Sequence, residues 1–268
     1  MKLGLTACLL LSVVLRGAGG DVKNLLNSIL NAETDKALPS KDQFYSQVTR
    51  EAIGALSPPE VQDLLPLIQR CLASPRLEVR RYGLLTAMAV SFRPDSSQTL
   101  EPIIGDIERI ASNPTSPLKG GALAILGNTY PHPSQRAVSY LEAHLQDKDN
   151  STQQLTTIAV SLMRASGPGS ALWRKVLTFV ENQPDPGVKA AVLMELGNEK
   201  AGDASSEEFI KASLSSKDLF IQGAAIETVG QLDASARVNF VDQLKQIMND
   251  PNESPENRKQ AKAALTTK

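Results

Sequence analysis

Apolar residues in this chain recur at helical spacing, in helix-length stretches separated by short turns rich in Pro, Asp, Ser and Gly. Leu64-Leu65-Pro66-Leu67-Ile68-Gln69-Arg70-Cys71-Leu72 shows the period clearly. Comparable stretches predict helices over Val61–Leu72, Gln98–Ala111, Ser134–Gln146, Ser170–Glu181, Ser205–Leu214 and Ala236–Met248, each followed by a second helix. Strands are not expected, because Val, Ile, Tyr and Phe are not gathered into alternating runs. Ser205 with Glu208, and Ser40 with Gln43, have the spacing of reciprocal caps at helix starts.

The second helices resemble one another. Ser74-Pro75-Arg76-Leu77-Glu78-Val79-Arg80, Asp185-Pro186-Gly187-Val188-Lys189-Ala190-Ala191 and Asp218-Leu219-Phe220-Ile221-Gln222-Gly223-Ala224-Ala225 each run from a turn residue to a long polar one, and in the last two copies small residues follow. Thr115-Ser116-Pro117-Leu118-Lys119-Gly120-Gly121-Ala122 fits as well, and Glu256-Asn257-Arg258-Lys259-Gln260-Ala261 fits more loosely. Taking the long polar residue as a marker gives Arg80, Lys119, Lys189, Gln222 and Arg258, with Gln153 or Thr156 supplying the intervening copy, at steps of 33 to 39 residues. Gly127, Gly197 and Gly230 each fall eight residues after a marker. Glycine there predicts a left-handed residue just beyond a helix end. Pro66 and Pro102 stand 36 residues apart, one repeat, and predict kinks in the first helices.

Helix pairs of this period, with a proline in the first helix and a small-residue-rich second helix closing on Leu-Gly, resemble HEAT repeats. The segments around Asp185 to Ala191 are similar to the short HEAT-like units of bacterial proteins, including those of phycobilin lyases. The resemblance runs from Pro59 to the C-terminus. It implies an all-α, right-handed α-solenoid of about six to seven antiparallel helix pairs, with Asp21–Leu56 as divergent capping helices. It also implies a curved surface suited to holding a protein or peptide on its concave side.

Composition adds a compartment. Lys2, an apolar run from Leu3 to Leu15 and the small residues Gly17 to Gly20 read as a secretory leader, residues 1–20, cleaved before Asp21. Arg16 interrupts that run, which is too short for a membrane span. Leu5-Thr6-Ala7-Cys8 resembles a lipobox, but most of the apolar region follows Cys8 instead of preceding it, which disfavours lipid anchoring. The expected location is the periplasm or the extracellular space, with no membrane insertion after cleavage and a monomeric state. Loss of Lys2 and Arg16 takes the formal charge from −1 to −3, which gives no reason to expect nucleic acid. Cys71 is then the only cysteine, so no internal disulfide forms, and its apolar setting predicts core packing.

Catalytic chemistry is hard to place. His132 and His144 stand twelve positions apart without a cysteine or metal-binding pattern beside them, so no metal and no cofactor are expected. Gly167-Pro168-Gly169 lacks the Lys-Ser/Thr of a phosphate loop. Asn150-Ser151-Thr152 and Asn252-Glu253-Ser254 match the glycosylation sequon.

The markers admit two readings. Stacked repeats would align Arg80, Lys119, Lys189 and Arg258 along one edge, where they either meet an acidic partner or pair with a cap in the preceding turn, as Lys189 with Asp185. The interruption at Gln222 favours pairing. Trp173, beside Arg174, reads as a wedge between repeats or as a binding hot spot, and Tyr82 beside Arg81 is equally ambiguous. The expectation is a non-catalytic interaction scaffold or adaptor of the cell envelope, with Arg80, Arg81, Tyr82, Lys119, Trp173, Arg174 and Lys189 as candidate contacts. The alternatives are a HEAT-like lyase or enzyme-associated subunit, and a purely architectural envelope protein.

Overall fold

The computed structural model describes residues 20–129 and 133–266. The leader, with Cys8, lies outside the described residues apart from Gly20, and His132 lies outside them altogether. Every regular element among the described residues is helical. The chain divides into two compact units, residues 1–143 and 144–268.

In the first unit, the helix over 20–31 (α1) is followed by α2 (Lys41–Gln47) and α3 (Arg50–Gly54). Two helix pairs come next: α4 (Pro58–Ala73) with α5 (Leu77–Ser91), and α6 (Ser96–Leu100) plus α7 (Ile104–Ala111) with α8 (Lys119–Asn128). Helix α9 (Gln135–His144) then packs against α7, where Arg136 chelates Glu108 at 2.6–3.2 Å. In the second unit α10 (Thr152–Ser166) precedes three pairs: α11 (Ala171–Glu181) with α12 (Pro186–Asn198), α13 (Ala204–Leu214) with α14 (Leu219–Gln231), and α15 (Ala234–Arg237) plus α16 (Val241–Asn249) with α17 (Pro255–Thr266). Within each unit second helices stack on second helices, α5 on α8, and α10, α12, α14 and α17 in series. No pair can bury its apolar stripe alone, and the stacking supplies the missing cover.

The sequence explains where these helices begin. Ser57 and Glu60 form a reciprocal cap on α4, and Ser151 with Gln154 does the same on α10. Ser40 caps α2 as expected, accepting from Gln43 N–H at 3.2 Å. Asp203, and not Ser205, caps α13, because its carboxylate reaches the N–H groups of both Ser205 and Ser206 at 3.2 and 3.3 Å.

Two other expectations change. Pro66 is accommodated inside α4, whereas Pro102 falls in a 3₁₀ turn that divides the predicted Gln98–Ala111 helix into α6 and α7. A second such turn, Val238–Phe240, divides Ala236–Met248. Gly127, Gly197 and Gly230 are not left-handed terminal residues; they lie inside the last turns of α8, α12 and α14. On α12 the left-handed residue is Lys200 (φ 50°), where Ala201 N–H reaches Leu196 O and Lys200 N–H reaches Gly197 O. Gly197 serves packing, since a Cβ there would collide with Gln231 of the next second helix.

The closest approach to atoms that cannot move aside is at Gly83 on α5. A Cβ there would lie 2.6 Å from Cys71 Cβ and 3.2 Å from Leu72 N, both fixed in α4. Gly83→Ala is therefore expected to lower stability by about 1–3 kcal/mol, the cost of overpacking, although alanine is the better helix former. Urea unfolding checks this, and a stabilised variant would contradict it. Burial also pushes the Cys71 thiol up to about 12, against the opposing charge of Arg70, and so keeps it protonated.

Candidate functional site

Two of the marker residues, Arg80 and Gln222, turn back to structural work. Arg80 on α5 sends Nη1 back to the carbonyls of Ser74 and Pro75, at 2.9 and 3.2 Å, at the end of α4. Gln222 on α14 does the same for Leu214 O at 3.1 Å, the last residue of α13. A helix leaves its final carbonyls without partners, and a long donor at the start of the following helix satisfies them. This explains why Arg and Gln interchange at the marker: each carries an N–H donor on a long stem.

Three of the other candidate contacts are buried, and Arg81 is engaged by a neighbour. Arg81 is held by Glu78 at 2.7 and 2.8 Å, Tyr82 is buried with its hydroxyl donating to Pro39 O at 2.7 Å, and Lys119 is 6 % exposed. Trp173 is wholly buried between α11 and α13, and its indole N–H donates to Ser206 Oγ at 2.9 Å. It is a wedge and not a hot spot. Arg174 remains exposed and Lys189 half-buried. The expected Lys189–Asp185 pair is absent; Asp185 caps α12 through Gly187 N–H at 2.8 Å and accepts from Thr152 Oγ1 on α10. The Asp185 carboxylate is already engaged by donors at the start of its own helix and on α10.

The carboxylates of Asp95, Asp185 and Asp203 hold folded values below the ordinary range. The Arg93 guanidinium lowers Asp95, and the Thr152 hydroxyl followed by Gly187 N–H lowers Asp185. Burial raises Asp203, but the bonds from Ser205 and Ser206 outweigh it and leave the net direction downward. A depressed folded value contributes stability above the unfolded value and loses it as pH falls through the folded one. The melting temperature should therefore drop below about pH 4, and Asp203→Asn should flatten that acid limb. Melts of both proteins from neutral to acid pH check this, and superimposable acid limbs would contradict it.

A different surface is left open for contact. On the second helices of residues 144–268, Met194, Leu219 and Phe220 are 51 %, 55 % and 62 % exposed. With Ala190, Gly223, Ala224, Glu227, Asn257 and Gln260 they line a groove of about 270 Å³ over α12, α14 and α17. The framework beneath it is tied down. Arg164 on α10 chelates the buried Glu195 on α12 at 2.6 and 2.8 Å, and Thr228 on α14 donates to Leu193 O at 2.7 Å. The sequence signal was the pair Leu219-Phe220 directly after the Asp218 cap, one bulky apolar residue more than the core pattern requires. Of the two sequons, Asn150 is engaged with His144 O at 2.8 Å, whereas Asn252 is exposed. Among the described residues no group of His, Cys, Asp or Glu side chains is placed to hold a metal ion, and no helix is long and apolar enough to cross a membrane.

These features define an all-α protein of HEAT-like helix pairs. Residues 174–266, covering α12 to α17 and most of α11, match the family model for HEAT repeats. No curated protein matches the sequence. Similar solved structures include an engineered protein at 15% identity, covering 91% of this chain and 67% of that one with a TM-score of 0.46. A designed armadillo repeat protein is 16% identical, with coverage of 91% and 98% and a TM-score of 0.39. Human deoxyhypusine hydroxylase in complex with glycerol is 13% identical, with coverage of 93% and 96% and a TM-score of 0.40. None reaches a TM-score of 0.5, so the fold rests on this chain's own helices and on the family match.

Proposed function

We propose that this chain is a non-catalytic binding protein that holds a protein or peptide on the second helices of residues 144–268, outside the cytoplasm. One observation carries the reading: Met194, Leu219 and Phe220 stand exposed around a single groove on a braced set of helices. Single exposed apolar residues are ordinary, but a cluster around a concavity is characteristic of contact surfaces. Export is supported by the leader pattern of residues 1–20. A photo-crosslinking amino acid placed at position 220, or at 174 on a first helix, tests the site in the cells that make the protein. Position 220 should yield a discrete adduct and 174 none. Adducts from 174 alone would overturn the assignment.

A further inference from the structure

The chemistry of the groove narrows what it can hold. The depression lined by Met194, Leu219 and Phe220 meets a second one, of about 420 Å³, whose floor is made of the small residues Gly230, Ala263 and Ala264. Glu227 and Gln260 line both, so they sit where the two join. The polar atoms left without partners at this junction are acceptors. Glu227 is exposed and makes no ion pair among the described residues. Gln260 turns its Nε2 to Glu256 at 3.5 Å, which leaves Oε1 buried and without a partner. Asn257 is 5 % exposed; its Nδ2 donates to Gln222 Oε1 at 2.7 Å, and its Oδ1 faces Gly223, 3.2 Å from where a Cβ would stand. The basic residues of α12, α14 and α17, namely Lys189, Arg258, Lys259 and Lys262, line neither depression.

We infer that this groove selects extended peptide segments in which an arginine or lysine stands next to a bulky apolar residue. The inference rests on the groove being the binding face. The apolar side chain covers Phe220, Leu219 and Met194 and supplies most of the affinity. The neighbouring cation supplies the donors that Glu227 and Gln260 lack, and so sets which segments are accepted. Arginine suits the junction better than lysine, because its planar fork can serve both acceptors at once. An acidic segment would bring like charge against Glu227 and leave Gln260 Oε1 without a donor.

The test is selection from a random peptide library displayed on phage, panned on the immobilised chain in three forms: wild type, Glu227→Lys and Phe220→Ser. Both substitutions fall on exposed side chains, and thermal melts confirm that the variants fold. The wild-type pool should be enriched in Arg or Lys beside Leu, Phe, Met or Trp, and the Glu227→Lys pool in Asp or Glu at that position. A synthetic peptide of the wild-type consensus should bind Glu227→Gln about tenfold more weakly, the loss expected for one charge-assisted contact. A pool that depends on Phe220 but shows no basic enrichment overturns the charge selection and leaves the groove as the binding face. A pool indifferent to both substitutions, or no enrichment at all, overturns the binding face together with the inference.

Discussion

Trp173→Ala is expected to destabilise residues 144–268 by about 3–5 kcal/mol, the range for removing a large aromatic side chain from a core. Trp173 has no exposed surface, and it joins the first helices of adjacent pairs through its contact with Ser206. The substitution leaves a cavity at that junction and removes the indole donor. Ser206 keeps its bond to Asp203, so the loss is mainly one of packing. Trp173→Phe should cost roughly 1–2 kcal/mol less than the alanine variant, because much of the apolar area is retained. Stability in a repeat array is shared through neighbouring interfaces, so α13 and α14 should show faster amide exchange along with α11. Guanidinium unfolding with hydrogen exchange measures both effects. A loss below about 1 kcal/mol would mean that the indole is not the wedge described.

Arg93→Met should cost about 3 kcal/mol, through hydrogen bonds and not through lost volume. Arg93 is 7 % exposed, and its Nη1 donates to Ile53 O and Leu56 O at 2.9 and 2.8 Å, at the end of α3, while Nε reaches Asp95 at 3.0 Å. Methionine fills part of the space but removes the donor from Leu56 O, leaves Ile53 O with backbone donors only and strips Asp95 of its guanidinium. A buried carbonyl without a donor costs about 1–3 kcal/mol if water cannot reach it. The damage should localise to α2 and α3, which carry few buried residues of their own. Limited proteolysis should then cut between residues 38 and 58 before any other described segment. Cleavage elsewhere first, with α2 and α3 intact, would contradict this role.

The all-α architecture was legible because it rests on local signals. The apolar period, the caps at Ser40 and Asp185, and the recurring marker are all short-range patterns. What failed to read were consequences of neighbours. The glycines at positions 127, 197 and 230 are in phase, but none has a left-handed backbone, and at Gly197 the neighbour is the Gln231 side chain of the next second helix. Arg80 and Gln222 recur at the marker position for a structural reason, yet their acceptors are main-chain carbonyls that carry no sequence signature. Arg93 was overlooked for the same reason. The groove escaped notice because it needs three second helices side by side, and only Leu219-Phe220 hinted at surplus apolar surface.

The measurement that most directly tests the division between structural ladder and binding groove compares Arg80→Met with Phe220→Ser, each scored for melting temperature and for crosslinked partner recovered through position 194. Arg80→Met should melt lower and still capture its partner. Phe220→Ser should melt as the wild type does and lose capture. The opposite pairing, capture lost with Arg80 and retained without Phe220, would return the binding role to the basic edge and refute the groove.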